Sequence, residues 1–129
     1  MIDASRLPFP KGSTKLHRAI AKKAARRDDR RKLERWARAV KERDLWKDRK
    51  TGVRVLKTRQ LDPLRAEAHH IVSKDDKAVR YDVRNGVTLS LQTHQDVEHN
   101  RLRIDGTVFF RKGGCRYIDA TYPVYFVRL

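Results

Sequence analysis

Cysteine is nearly missing from this chain: Cys115 is the only one in 129 residues. A lone thiol excludes an internal disulfide, and it excludes the paired cysteines of a zinc ribbon. Long apolar runs are missing too. No stretch approaches the roughly eighteen apolar residues that a membrane-spanning helix needs. The start, Met1-Ile2-Asp3-Ala4, has neither the basic nor the apolar region of a signal peptide. A cytoplasmic protein without a membrane partner is therefore expected. Acid is scarce relative to base: 16 Asp and Glu stand against 32 Lys and Arg, a net charge of +16. What remains is 39% hydrophobic, enough for one modest core in a single domain, 1–129.

An excess of positive charge this large calls for a polyanionic partner. Nucleic acid is the first candidate, DNA before RNA, because phosphate neutralisation by Lys and Arg supplies most non-specific affinity. The charge is concentrated at one end. Residues 1–50 hold 18 Lys and Arg against 7 acids, a net of +11. Leu7-Pro8-Phe9-Pro10-Lys11-Gly12 reads as an extended arm, since proline and the residue before it resist the helical region. Ser13 or Thr14 then offers an N-cap, and no Gly or Pro follows until after Trp46. Leu16, Ile20 and Ala24, then Leu33, Trp36, Ala37, Val40 and Leu45, fall at helical spacing as a thin apolar stripe. They predict one helix or two, with a break or exposed turn across Arg26-Arg27-Asp28-Asp29-Arg30-Arg31-Lys32. Arg26, Arg27, Arg30 and Arg31 are the candidate phosphate contacts of this basic helical arm; a solvated helix face is the alternative.

Beyond residue 50 the pattern becomes short strands. Val53–Leu56, Ala66–Val72 and the buried run Gly86–Leu91 read as strands, and Gln92–Asn100 as a helix. Asp105-Gly106 predicts a hairpin between Leu102–Ile104 and Thr107–Phe110. Gly113-Gly114 suggests a turn before Cys115–Asp119, and Tyr122–Val127 reads as a last strand. The fold class is thus α+β: a basic N-terminal helical region, a central strand–strand–helix unit over 66–100, and short antiparallel strands over 101–129. Cys115 is expected to be a small buried residue of those strands. Trp36 and Trp46 are expected in the core, and His17 at the surface.

The chain has five histidines, and four lie in the central unit. His69 and His70 are adjacent on a strand, so their side chains leave opposite faces and suit two different roles. On the following helix Glu98 lies four residues after His94 and shares its face, whereas His99 projects to the side. An imidazole and carboxylate set of this kind suits several divalent ions.

The order Glu67-x-His69-His70, then Asn85, then His94 resembles the HNH endonuclease motif, the ββα-metal or His-Me finger. Asn85 lies fifteen positions after His70 and His94 nine after that, a spacing similar to colicin-type nuclease domains. The resemblance covers about residues 66–99, with a weaker echo over 43–56. It implies a metal-dependent endonuclease that hydrolyses phosphodiester bonds in DNA with one divalent ion, Mg, Mn, Ni or Zn. It implies His70 as general base, Asn85 as the residue that fixes the loop and orients that base, and His69 and His94 as metal ligands. Glu67 would position an imidazole or an arginine. The chain departs from the pattern at the third ligand. Glu98 stands where colicin-type domains have histidine, so Glu98, His99 after a local shift, or water completes the shell. The cysteine pair of many HNH proteins is also missing, with Trp46 as a candidate apolar plug. Arg65, Lys74 and Arg84 are candidate phosphate clamps near the site. Two alternatives remain at this point: a non-catalytic basic protein that keeps the finger fold to bind nucleic acid, and a purely structural metal site. The sequence does not specify an oligomeric state.

Overall fold

A computed structural model describes residues 14–111 and 113–129; the arm read at Leu7–Gly12 and the Ser13 cap lie outside them. Among the described residues the architecture is α+β, one long and one short α-helix and a 3-10 turn at Val83–Asn85 with three two-stranded antiparallel sheets. The chain divides after Lys32 into two compact units, so residues 33–50 belong with the strands rather than with the N-terminal part.

Helix α1 runs Lys15–Arg43 without the break expected at Arg26–Lys32. Its start is capped by Thr14, whose hydroxyl accepts from the His17 N–H at 3.3 Å. No apolar face is needed to carry a helix through the charged run, because these residues have adequate helix propensity and Asp28 pairs with Lys32 at i,i+4. The predicted stripe is only partly real. Trp36 and Val40 are buried, while Leu16, Ile20 and Leu45 are exposed. The helix ends by a left-handed turn: Leu45 and Trp46 take φ of 55° and 54°. Their N–H groups bond back to Glu42 and Lys41 carbonyls, the pattern of a Schellman cap with leucine where glycine is usual.

Strands β1 (Ala66–His70) and β2 (Gly86–Ser90) pair antiparallel, with His69 opposite Val87 and His70 opposite Gly86. Ser90 then caps helix α2 (Leu91–Glu98), its hydroxyl accepting from the Thr93 N–H. All five residues of β2 are buried. One edge of β2 faces β1. The other is satisfied by the last residue of α1 and the segment that follows it. Arg43 donates to the Gly86 carbonyl, the Asp44 carboxylate accepts from Thr88 N–H, Arg49 N–H donates to Thr88 O, and the Asp48 carboxylate accepts from Ser90 N–H. Asp48 also accepts from the Thr93 hydroxyl at 2.6 Å. Burial raises its pKa, but the hydrogen bonds from Thr93, Ser90 and Lys50 outweigh that and hold it below the usual carboxylate value. These two buried aspartates occupy the place foreseen for a Trp46 plug. Trp46 itself is half-buried, with the Lys57 ammonium 4.3 Å from its ring centroid.

The C-terminal strands pair differently from the expectation. Asp105-Gly106 makes no hairpin. Both residues continue β3 (Leu102–Gly106), which pairs with β6 (Val124–Arg128), while β4 (Val108–Phe110) pairs with β5 (Arg116–Ile118). A type I′ turn needs positive φ at both central residues, and neither has it. The turn at Gly113-Gly114 does form, with φ of 95° and 79°. Cys115 beside it is exposed, not buried. Val53–Leu56 yields only isolated bridges, Lys47 to Arg54 and Leu56 to Arg65. Val87, Leu89, Ile104 and Ala120 form the core that joins β2 to the C-terminal strands, with Ile71, Val97, Val124 and Phe126 packed against it.

Helix α1 lies so close to β2 that Gly86 has no room for a side chain. A Cβ there would lie 2.4 Å from Val40 Cγ2 and 2.6 Å from Trp36 Cζ2. Gly86→Ala is expected to destabilise the protein by about 1–3 kcal/mol through overpacking, read as a lower urea midpoint; an unchanged midpoint would contradict this packing.

Candidate metal centre

Strand β1 ends at His70, and its last two side chains leave on opposite sides, as alternation requires. His69 turns toward α2, where its ring meets His94 edge-on at 5.1 Å between centroids. His70 turns toward α1 and stacks on Trp36. Both still line one groove of about 500 Å³, together with Ala68, Ile71, Ser73, Lys74, His94 and Glu98.

His69, His94 and Glu98 offer three donor atoms that all lie within 4.8 Å of one another. Glu98 Oε1 is 3.1 Å from His94 Nε2 and 3.6 Å from His69 Nδ1. An ion about 2.1 Å from each donor would hold neighbouring donors about 3.0 Å apart in an octahedron and about 3.4 Å apart in a tetrahedron. The two Glu98 spacings lie close to those values, and the three residues together could hold a divalent ion. His94 and Glu98 meet because they are one helical turn apart on α2. His99 is the C-cap of α2, is exposed, and is not part of the cluster.

The electrostatics suit ligation as well. Burial, reinforced by His94, lowers the His69 pKa to about 4 against the opposing pull of Glu98. His69 is thus neutral near pH 7, the form that binds a metal.

His70 is set up differently. Its Nε2 lies 2.9 Å from the carbonyl oxygen of Arg80. A carbonyl can only accept, so Nε2 carries the proton and Nδ1 keeps the lone pair of the neutral ring. Burial lowers the His70 pKa, Arg80 and Lys74 push the same way, and the bond to Arg80 opposes them.

Asn85 is completely buried and touches neither histidine by hydrogen bond; it closes the loop that presents the Arg80 carbonyl. Its side-chain oxygen accepts from Val72 N–H at 2.8 Å, and its amide donates to the Val72 and Val79 carbonyls. Glu67 is bound to Arg65 at 2.8 Å and does not line the groove. Arg84 is paired to Asp82 at 2.8 Å and lies 3.9 Å over the Phe109 ring. Of the three expected clamps, Lys74 alone lines the groove. Arg26, Arg27, Arg30 and Arg31 are exposed along α1. Two partners of His70 escaped sequence reasoning. Trp36 lies 34 positions before it, with only its apolar spacing as a signal, and the Arg80 carbonyl is backbone, which has no sequence signal.

Comparison with protein families, with curated proteins and with solved structures finds no match for this chain.

Two outcomes follow from the geometry. Calorimetric titration with Zn²⁺ or Mn²⁺ is expected to show one site, weakened in His94→Ala and Glu98→Gln by more than the roughly 10–100-fold that loss of an outer partner costs. His99→Ala should leave affinity unchanged; if it weakens binding instead, Glu98 is not the third ligand. In metal-free protein, folded His69 titrates at about 4 against about 6.5 when unfolded. Below pH 6.5 the unfolded chain takes up a proton that the folded state refuses. Stability should therefore fall between pH 6.5 and 4, by on the order of 3 kcal/mol from this residue. His69→Ala should flatten that fall in urea titrations at successive pH values.

Proposed function

We propose that this protein is a metal-dependent endonuclease that hydrolyses phosphodiester bonds in DNA, with β1, β2 and α2 acting as a ββα-metal finger. One observation carries the reading: His70, whose Nε2 is taken by the Arg80 carbonyl so that the lone pair of the neutral ring falls to Nδ1, lines the same groove as a three-donor metal cluster. Hydrolysis of a phosphodiester needs a base for water, charge to offset the phosphate, and help for the leaving oxygen. The two halves of the groove match those needs.

His70 takes the proton from the attacking water at Nδ1, a contribution of about 10²–10⁴-fold for a positioned base. Its Nε2–H stays on the Arg80 carbonyl throughout, so the ring becomes imidazolium without turning. The depressed pKa keeps His70 neutral, and so competent, at pH 7. Asn85 acts at a distance by holding the loop that bears Arg80. His69, His94 and Glu98 would hold a divalent ion, which would supply charge to the phosphate and to the departing 3′ oxygen. Lys74 offers a further cation at the groove wall. The net charge of +16, with the arginines exposed on α1, supplies sequence-independent affinity for the DNA backbone.

The test is supercoiled plasmid incubated with purified protein and Mg²⁺, Mn²⁺, Ni²⁺ or Zn²⁺, with and without EDTA. Wild type is expected to nick or linearise it in at least one metal. His70→Ala should lower the rate by about 10²–10⁴-fold while metal and DNA binding persist. No cleavage in any metal, with DNA still bound, would make the protein a non-catalytic nucleic-acid binder.

A further inference from the structure

We propose that Trp36 is a positioning residue for the His70 base, a flat wall that holds the imidazole in the orientation where Nδ1 is the free acceptor. The proposal rests on the reading of His70 as base, but its geometry stands apart from any activity. The two rings are stacked, 3.7 Å between centroids and 9° from parallel. The hydrogen bond to Arg80 fixes one edge of the imidazole. An edge bond alone leaves the ring free to rock about that contact. A parallel ring at van der Waals distance removes the rocking. A half-turn about χ2 would put Cε1 against the Arg80 carbonyl and lose the bond.

A wall works only if it is itself immobile. The indole Nε1–H donates to the Asp82 carbonyl at 2.9 Å. Its six-membered ring fills the slot left by Gly86, where a Cβ would be 2.6 Å from Cζ2. Trp36 is 4% exposed. Arg80 and Asp82, whose carbonyls hold the two rings, lie two residues apart on the loop clamped by Asn85. Edge and face of the base are thus referenced to one short piece of backbone. An aliphatic residue could fill the same volume, but it offers no flat face. That difference separates positioning from ordinary core packing.

The test compares Trp36→Phe, which keeps a flat ring, with Trp36→Leu, which does not. The first readout needs no activity: long-range ¹H–¹⁵N NMR of the His70 ring in metal-free protein. Wild type and Trp36→Phe are expected to show a single Nε2–H tautomer, with ring protons shifted upfield by the stacked aromatic. Trp36→Leu should show averaged tautomers and lose the upfield shift. The second readout is plasmid cleavage. Trp36→Leu should lower kcat by about 10²-fold, the scale of a misplaced catalytic group, with KM and metal affinity unchanged, and Trp36→Phe should recover most of the loss. Averaged tautomers in wild type would overturn the proposal. So would a folded Trp36→Leu that retains kcat, or equal losses in the two variants. If Trp36→Leu does not fold, the wild-type and Trp36→Phe spectra decide. If wild type cuts nothing yet the tautomer still depends on a flat ring at 36, the nuclease reading fails and the positioning stands.

Discussion

The second edge of β2 is the constraint on which the other parts depend. A buried strand must satisfy its backbone polar groups on both edges, and β1 supplies only one. In place of a third strand, the end of α1 and the segment after it provide an arginine, two aspartates and a backbone N–H. Arg43 takes Gly86 O, Asp44 takes Thr88 N, Arg49 N takes Thr88 O, and Asp48 takes Ser90 N. The aspartates are themselves compensated, Asp44 by Arg43 and Arg49, and Asp48 by four hydrogen-bond donors. That many partners offset the cost of burying the two carboxylates, whereas unpaired ones would cost several kcal/mol. Because Asp48 also holds Thr93, the same contact sets where α2 begins, and with it His94 and Glu98.

From that frame the two histidines acquire different surroundings. β1 is registered on β2, so His69 and His70 are fixed one step apart at the strand end. One side of the strand meets α2 and gives His69 a ligand-rich wall. The other meets α1 and gives His70 a stacked indole and a carbonyl. Burial lowers the pKa of both imidazoles in a chain of net charge +16. A neutral imidazole is the form that ligates metal and the form that accepts a proton, so the shared groove can host both tasks.

Much of this arrangement is legible in the sequence. The strand–strand–helix order follows from the strand read at Ala66–Val72, the buried run Gly86–Leu91 and the helix read at Gln92–Asn100. Helical spacing placed Glu98, not His99, beside His94. The misreadings have physical causes. Asp105-Gly106 fits a tight turn locally, but pairing of β3 with β6 keeps it extended. The charged run in α1 lacks an apolar face, yet propensity and local ion pairs carry the helix through it. The contacts that orient His70 were beyond reach, because one partner is a backbone carbonyl and the other lies on a distant helix. Asp44 and Asp48 sit in a basic stretch with no local pattern that signals burial; only tertiary pairing with the β2 edge explains it.

The most direct measurement is anomalous diffraction from crystals soaked in Mn²⁺ or Zn²⁺. One strong peak is expected about 2.1 Å from His69, His94 and Glu98 donors. His70 should line the same groove without ligating the ion, its Nε2 still on the Arg80 carbonyl. A peak ligated by His70 or His99, or no peak among these residues, would contradict the division of labour between the two adjacent histidines.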